Sequence, residues 1–506
     1  MNSTPKSILI CGGGTAGWMA ANLMQHAWPQ CEITLVESPN VGIIGVGEGS
    51  TPYLKTFFKQ LNIAENEWMP ACNATYKVGI KFDGWSEVKG YEQYFHPFFS
   101  ELDVKPGDPF FHNAKIQKSG INANAHPDHY FVTAEMARQY MAPISEKYSQ
   151  IEIDYGYHFD SGLLGEFLKK RAISLGLNHI SDDIINITTD SNGSISGIEC
   201  ETVKTITAEL YIDCTGFRSL LLQQALKVPF HDYKENLFND SAVAFPTELN
   251  NAQPIPVETK STALNAGWAW KIPLANRYGN GYVYSSKYIT PEQAEIELKQ
   301  HLNIPQDQNV NARHLKMKVG RVDKHWHKNC LAVGLSQGFI EPLEATALML
   351  VQFTIEEFIT AYNQPSQDVD LYNMSVNRMM EGIRDYIVTH YVTNGRNDTQ
   401  YWNDCRNAVR SDNLDKLLNT WQSNLDFEHV LNKLDSSLVY LRPSWYVLLM
   451  GVGYFDPIKQ QVAKASDRVW DFNKSKTYCE QLVDDVFVPH NQYLQALYGS
   501  AWPSVD

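Results

Sequence analysis

Residues 7–37 read SILICGGGTAGWMAANLMQHAWPQCEITLVE, and the fold turns on this stretch. Residues 7–11 form a short apolar run suited to a buried parallel strand. Gly12, Gly14 and Gly17 follow in the G-x-G-x-x-G pattern, and residues 18–27 are helix formers. A second strand over 31–36 ends on Glu37, twenty positions after Gly17. Strand, glycines, helix and acid in this order make the dinucleotide fingerprint, against the competing reading of a glycine turn in an ordinary βαβ unit. Gly12 allows the tight turn, Gly14 lets backbone approach a pyrophosphate, and Gly17 lets the helix pack on the strand. The phosphates sit at the helix N-terminus, where unpaired N–H groups point outward. Glu37 can accept hydrogen bonds from a ribose diol, and its charge disfavours a 2′-phosphate.

Composition narrows the class. At 506 residues the chain is too long for one simple core, so two or more modules are expected. An apolar fraction of 43% and a charged fraction of 20% describe an ordinary soluble globular protein. Net charge is −15 with no Lys/Arg run, which disfavours nucleic acid and acidic membrane as partners. No signal peptide is read, because the first apolar run is short and lies inside the fingerprint. No stretch approaches the ~20 apolar residues a membrane span needs. The eight cysteines are scattered without a C-x-x-C pair, which argues against zinc and a disulfide framework and fits a reducing cytoplasm. Aromatic residues make up 12% of the chain, which suits a site for a flat ring as well as a large core.

A second glycine cluster, VGIIGVGEGSTP over 41–52, gives a pliable loop able to lie against a ligand, with Glu48 inside it. A helix is expected over 53–61. Residues 75–85, TYKVGIKFDGW, alternate like one strand, which would set Lys77 and Lys81 on the same face. Two solvated surface lysines are the plain alternative. An aromatic-rich segment over 91–99 holds His96 and Phe98.

Leu163, Leu164, Phe167, Leu168 and Ala172 fall at helical spacing and predict a helix over 161–175. Strands over 180–187 and 195–201 flank an Asn192-Gly193 hairpin signal. The strand 210–214 runs into Thr215-Gly216-Phe217-Arg218, the kind of edge that covers a nucleotide in two-nucleotide flavoprotein folds. Residues 238–284 are mostly β, and alternation in GWAWKIP (267–273) puts Trp268, Trp270 and Ile272 on one face. NCLAVG (329–334) is a last buried strand. Glu341 and Glu344 precede a helix over about 346–362, whose free N–H groups at Thr346 and Ala347 could hold a small anion. Carboxylates near a helix start are commonly only dipole partners. Beyond Tyr362 the chain is helical in character, with a punctuated loop expected over 445–455.

GGGTAGW, GVGEGSTP, TYKVGIKF, DCTGFRS, GWAWKIP and GFIEPLEAT, in this order, resemble the flavin-dependent tryptophan halogenases over most of residues 7–350. Weaker similarity continues through Arg384–Tyr391. W-x-W-x-I-P is the motif that separates that family from related flavin monooxygenases. The resemblance implies an α/β, FAD-binding two-nucleotide (GR2/PHBH-like) flavoprotein fold with an added, mainly helical C-terminal module. Its domains would be 1–360, the FAD-binding box with the β-sheet over the substrate site, and 361–506, the helical substrate-site module.

By resemblance, Gly12, Gly14, Thr15, Ala16, Gly17 and Glu37 contact FAD. The strap loop matches 45–50, with Gly47 and Glu48 in it. Leu335 and Leu348 match positions near the isoalloxazine, and Ile184 an adenine neighbour. FAD arrives as FADH2 from a separate flavin reductase, and halide and O2 are co-substrates. Hypohalous acid then passes along a tunnel to a lysine, matched by Lys77 with Lys81 in reserve, while the matched glutamate is Glu344. Thr346 and Ala347 match the halide site, and His96 and Phe98 the substrate ring. Trp268 and Trp270 hinder monooxygenase chemistry in the family.

Tryptophan halogenases read E-S-T-G where this chain reads Glu344-Ala345-Thr346-Ala347. The extra methyl at Ala347 weakly favours bromide over chloride. The expected reaction is halogenation of an electron-rich aromatic such as indole or tryptophan. A flavin-dependent aromatic monooxygenase and a non-catalytic flavin-binding protein are the alternatives. The expected partners are a reductase and an aromatic small molecule, with no nucleic acid and no membrane, and a homodimer is compatible with the reading.

Overall fold

The computed structural model describes residues 4–42, 47–145, 147–148, 151, 153–250, 252–423, 425–434, 438–455 and 468–503. Two compact units are present, each drawn from three segments. The first takes Met1–Asn73, Phe159–Lys234 and Met317–Glu381, and the second takes Ala74–His158, Glu235–Lys316 and Gly382–Asp506.

The first unit is built on a six-stranded sheet. Its order is Trp326–His327, Cys330–Ala332, Leu210–Asp213, Ser7–Cys11, Glu32–Glu37, Asn178–Ser181. All neighbours run parallel except the first pair. The central strands are apolar almost throughout because elements cover both faces. Leu9, Cys11, Val36, Tyr211, Leu222, Cys330 and Ala332 share one core cluster. The fingerprint helix Thr15–Ala27 buries every residue from Gly17 to Met24. Its Asn22 is the polar exception inside that face. Asn22 donates to the Leu168 carbonyl at 3.0 Å and accepts from Arg171 at 2.8 Å, which locks the helix to Ser161–Ser174.

The strand expected over 180–187 is two strands. Asn178–Ser181 stays in the parallel sheet, while Ile184–Thr189 forms a hairpin with Ile195–Cys200. Asp182 makes the corner, its carboxylate accepting from the N–H groups of Asp183 (2.9 Å), Thr202 (3.0 Å) and Val203 (2.8 Å). An acid that organises a bend through backbone donors leaves no trace in apolar periodicity.

The second unit is built on a seven-stranded sheet, ordered Arg313–Lys316, Ser241–Thr247, Tyr278–Tyr284, Gly267–Pro273, Glu258–Leu264, Gly79–Asp83, Gln93–Pro97. Trp268 and Trp270 do share a face, with ring centroids 6.1 Å apart. A Cβ on Gly281, in the neighbouring strand, would lie 2.1 Å from the Trp270 ring, so the bare glycine makes room for the indole.

The single strand expected over 75–85 is broken at Val78. Thr75–Lys77 pairs antiparallel with Gly156–Phe159, and Gly79–Asp83 joins the seven-stranded sheet. Val78 serves neither ladder: it donates to Val257 at 2.7 Å and accepts from Phe98 at 3.0 Å. Lys77 and Lys81 therefore do not share one strand face. Lys77 is fully buried and Lys81 is partly exposed.

Beyond the sheet, the second unit is helical through Gln400–Cys405, Asp412–Gln422, Phe427–Leu434, Arg442–Gly451, Phe472–Val486 and His490–Tyr498. The loop expected over 445–455 is mostly the helix Arg442–Gly451. Pro443 sits in its first turn, where the missing N–H has no partner to lose. Residues 444–451 are all buried, so no amphipathic period announced the helix. Among the described residues no helix is long and apolar enough to cross a membrane.

Candidate active site

In the first unit the three fingerprint glycines behave differently. Gly12 has φ +112°, and a Cβ there would lie 2.2 Å from the Cys214 carbonyl oxygen. A Cβ on Gly17 would lie 2.0 Å from the Gly12 carbonyl oxygen. Around a Cβ built on Gly14, nothing among the described residues lies within 4 Å. Two glycines thus close the turn on its floor, and the third leaves its outer side open. Gly14 occupies the helix cap position with no side-chain cap. The first amides of Thr15–Ala27 have no carbonyl one turn back, so they face the open side as donors. This cradle fits a dinucleotide pyrophosphate.

The floor is pinned by Asp213, at the end of Leu210–Asp213. Its Oδ1 accepts from the Thr215 N–H (3.0 Å) and hydroxyl (2.6 Å). Its Oδ2 accepts from the N–H groups of Leu221 (3.0 Å) and Leu222 (2.9 Å) and from the Ser219 hydroxyl (3.3 Å). Burial raises the Asp213 pKa, and these donors pull it back. Cys214 N–H donates to Cys11 (2.8 Å) and Gly12 N–H to Val36 (2.8 Å), which seats the glycine turn on the sheet.

Glu37 ends its strand beside this turn. Its Oε1 accepts from Lys169 at 2.5 Å and His179 at 2.8 Å. Neither partner was foreseen. The only signal was strand register: His179 pairs with Leu35 and Ser181 with Glu37, so His179 lies two residues away on the same sheet face. Asp182 N–H bonds the Glu37 carbonyl at 3.0 Å, and Ile184 follows, partly exposed, at the start of the outer hairpin. Thr15 donates its hydroxyl to Ser161 at 3.2 Å. A Cβ on Gly334 would lie 2.7 Å from the Ala16 Cβ, which sets the short Gly334–Ser336 turn, with Leu335, against the fingerprint helix. Leu348 is buried in the helix Ala347–Asn363.

The loop matched over 45–50 falls partly outside the described residues, which omit Gly45 and Val46. Gly47 has φ +106°. Burial pushes the Glu48 carboxyl up to about 7, with the Ser161 hydroxyl opposing and the Asp160 charge assisting.

Glu341 and Glu344 are both buried, on either side of Leu343. Ala345 takes the left-handed conformation at φ +57° and leads through buried Thr346 into the helix Ala347–Asn363. Ala347 is exposed at the first helical position, and no side chain caps the helix.

In the second unit, the Lys77 Nζ lies 5.3 Å from the Phe98 ring centroid. His96 is buried, and its Nε2 is 2.7 Å from the Tyr386 hydroxyl. That hydroxyl donates to the Ser444 carbonyl at 3.0 Å, so its oxygen accepts from His96 Nε2–H. Tyr386 stacks on Tyr440 at 3.6 Å and meets Trp445 edge-on at 5.0 Å. Phe99 lies 6.2 Å from His96. Tyr386, Tyr440 and Trp445 were not anticipated. Tyr386 stands 290 residues from His96, and no local pattern links them.

A parallel sheet carrying a glycine turn of this kind, with a second β-sheet unit and a helical C-terminal region, is the GR2/PHBH-like flavoprotein fold. Comparison with known proteins narrows it. The tryptophan halogenase family model matches residues 7–468. A tryptophan 6-halogenase (SttH) from Streptomyces toxytricini is 36% identical over 474 residues, covering 89% of this chain and 90% of that protein. A 7-chloro-L-tryptophan 6-halogenase (KtzR) from Kutzneria sp. is 37% identical over 477 residues, covering 88% and 90%. The solved structure of Xcc4156, a flavin-dependent halogenase from Xanthomonas campestris, superposes with a TM-score of 0.83 at 31% identity, covering 98% of this chain and 99% of that one. The chain belongs to the tryptophan halogenase family and is a flavin-dependent enzyme.

Proposed function

We propose that this enzyme halogenates an electron-rich aromatic such as indole or tryptophan, using FADH2, O2 and halide, with bromide preferred to chloride. The observation that carries the reading is a fully buried lysine, Lys77, beside the Phe98 ring, in a chain that also keeps Glu344 buried. When bound, reduced FAD from a separate reductase in the cytoplasm would supply the two electrons that bring O2 to the peroxide level, and that oxidant would convert halide to hypohalous acid.

Lys77 holds the halogen. Its N–H groups can donate to the oxygen of hypohalous acid, or its free amine can give up a proton and form an N–halogen bond with release of water. Burial keeps bulk water from the ammonium and strengthens whichever contact forms. Glu344 takes the proton released when the halogenated ring regains aromaticity, as a positioned carboxylate base does. The amides of Thr346 and Ala347 hold the halide at the start of the helix Ala347–Asn363. The Ala347 methyl adds apolar surface beside that site, which favours the larger, more weakly hydrated bromide over chloride. His96, fixed by Tyr386, and Phe98 hold the ring, with Tyr386, Tyr440 and Trp445 forming the aromatic wall behind His96. Relatives named as a tryptophan 6-halogenase and a 7-chloro-L-tryptophan 6-halogenase support an indolic substrate.

Product mass tests this. The enzyme, FAD, a flavin reductase, NADH and O2 are mixed with tryptophan or indole, with bromide and chloride in separate tubes and catalase in all. A bromine isotope pair stronger than the chlorine pair, and absent from Lys77→Ala, is expected. A mass gain of one oxygen instead of halogen would overturn the reading in favour of a monooxygenase.

A further inference from the structure

The strand that carries Lys77 is only three residues long, Thr75–Lys77, and pairs on one side with Gly156–Phe159. So short a ladder does not by itself fix a side chain. Thr75, two residues before Lys77, projects to the same face. Directly across the ladder from Thr75 stands His158, fully buried.

Hydrogen-bond direction can be followed through this pair. The Thr75 hydroxyl donates its one proton to the Pro273 carbonyl at 2.7 Å. Its oxygen is 3.2 Å from His158 Nδ1, and with its proton already committed it must accept there. His158 therefore carries its proton on Nδ1. The other nitrogen, Nε2, is 3.0 Å from the Thr259 hydroxyl. A neutral ring protonated at Nδ1 has a lone pair at Nε2, so Thr259 donates to it. Charge follows the same logic. Burial lowers the His158 pKa well below its ordinary value, and the charges of Lys77 and His490 push the same way.

We propose that His158 is a positioning residue that holds Lys77 in place, as a neutral imidazole in a one-way hydrogen-bond chain from Thr259 through His158 and Thr75 to the carbonyl of Pro273. The chain joins four strands through residues of the second unit: Glu258–Leu264, Gly156–Phe159, the lysine strand, and Gly267–Pro273. It also gives the last residue of GWAWKIP a task. Proline ends that strand without a spare N–H, and its carbonyl anchors the strand that presents the lysine. The proposal rests on Lys77 as the residue that handles the halogen.

Two measurements test it. First, the wild-type protein is labelled with 15N-histidine, and the His158 signals are assigned by their absence from His158→Asn. A neutral ring with the proton on Nδ1, unchanged between about pH 6 and 8, is expected. A proton on Nε2 instead, or an imidazolium, overturns the chain whatever Lys77 does. Second, halogenated product formed per reduced flavin oxidised is compared for Thr75→Val, Thr75→Ser and wild type, with a β-diketone trap outside the protein for escaping hypohalous acid. Thr75→Val should lower the product yield about 10-fold and raise trapped halogen, with flavin binding unchanged, and Thr75→Ser should restore wild-type behaviour. An unchanged product-to-trap ratio in Thr75→Val, or a serine variant as poor as valine, overturns the positioning role. If Lys77→Ala itself keeps full halogenation, the Lys77 reading fails separately, and the histidine tautomer still reports on the chain.

Discussion

Replacing Asp213 probes the seat of the glycine turn. Asp213→Ala would strand three backbone amides, the buried ones of Leu221 and Leu222 and the part-buried one of Thr215. At ~1–3 kcal/mol for each buried donor left without an acceptor, and about 1 kcal/mol for the part-buried one, the loss is about 3–7 kcal/mol, comparable to the ~5–15 kcal/mol that holds a typical domain together. Asp213→Asn is gentler, because an amide can choose its orientation. With its oxygen towards Leu221 and Leu222 and its NH2 towards Thr215, the Thr215 hydroxyl can turn to accept. Only the part-buried Thr215 amide is then stranded, and the cost falls to about 1 kcal/mol. The order of stability should be wild type, Asn, then Ala, measured by urea unfolding with release of fluorescent FAD as the probe. FAD affinity should fall in the same order, since Cys214 lies directly under Gly12. If both variants unfold within ~0.5 kcal/mol of wild type, water has replaced the lost acceptor and the reasoning about a dry, fully committed carboxylate is refuted.

Glu37→Ala should weaken FAD binding about 10-fold or more, measured by flavin fluorescence quenching, because a charged acceptor for a ribose diol is lost. Its effect on stability should stay below ~1 kcal/mol, since its ion pair with Lys169 is partly exposed. His490 is buried, donates through Nδ1 to the Ile255 carbonyl (2.9 Å) and accepts at Nε2 from the Tyr76 N–H (3.3 Å), and burial lowers its pKa to about 4. Its folded pKa lies below the ~6.5 of an unfolded histidine, so its stability contribution is whole above about pH 6.5 and is lost as pH falls towards about 4. That loss reaches ~1.4 kcal/mol per pH unit, and urea midpoints of His490→Gln should show a correspondingly shallower acid slope. Gly281→Ala should cost about 1–3 kcal/mol by driving the Trp270 ring from its place, read as a lower Tm. An unchanged Tm would mean the ring moves freely.

The first unit was legible because its signals are local. The glycine turn, the apolar strands and the acid at the end of the second strand sit within residues 7–37, and the structure puts them in the predicted order. The tryptophan pair was legible too, since strand alternation is a two-residue rule. What escaped was long-range or uniform. The break at Val78 follows from hydrogen bonds to Val257 and Phe98, which no window around residue 78 contains. The helix Arg442–Gly451 is buried on every side, so it has no polar face to set a period. Lys169 and His179 reach Glu37 only through helix packing and strand register, and Tyr386 reaches His96 across most of the chain.

The threading of the chain has a consequence for anyone who would recombine it. The polypeptide passes between its two units at 73/74, 158/159, 234/235, 316/317 and 381/382. No single crossover in a hybrid gene can therefore transplant either unit intact from one relative to another. A splice inside the residues 74–158, for example, would give the lysine strand one ancestor and its His158 partner another, and the two would have to agree on a hydrogen bond neither parent had tested. Hybrids should tolerate exchange best when all three segments of a unit travel together, with joints at those five passages.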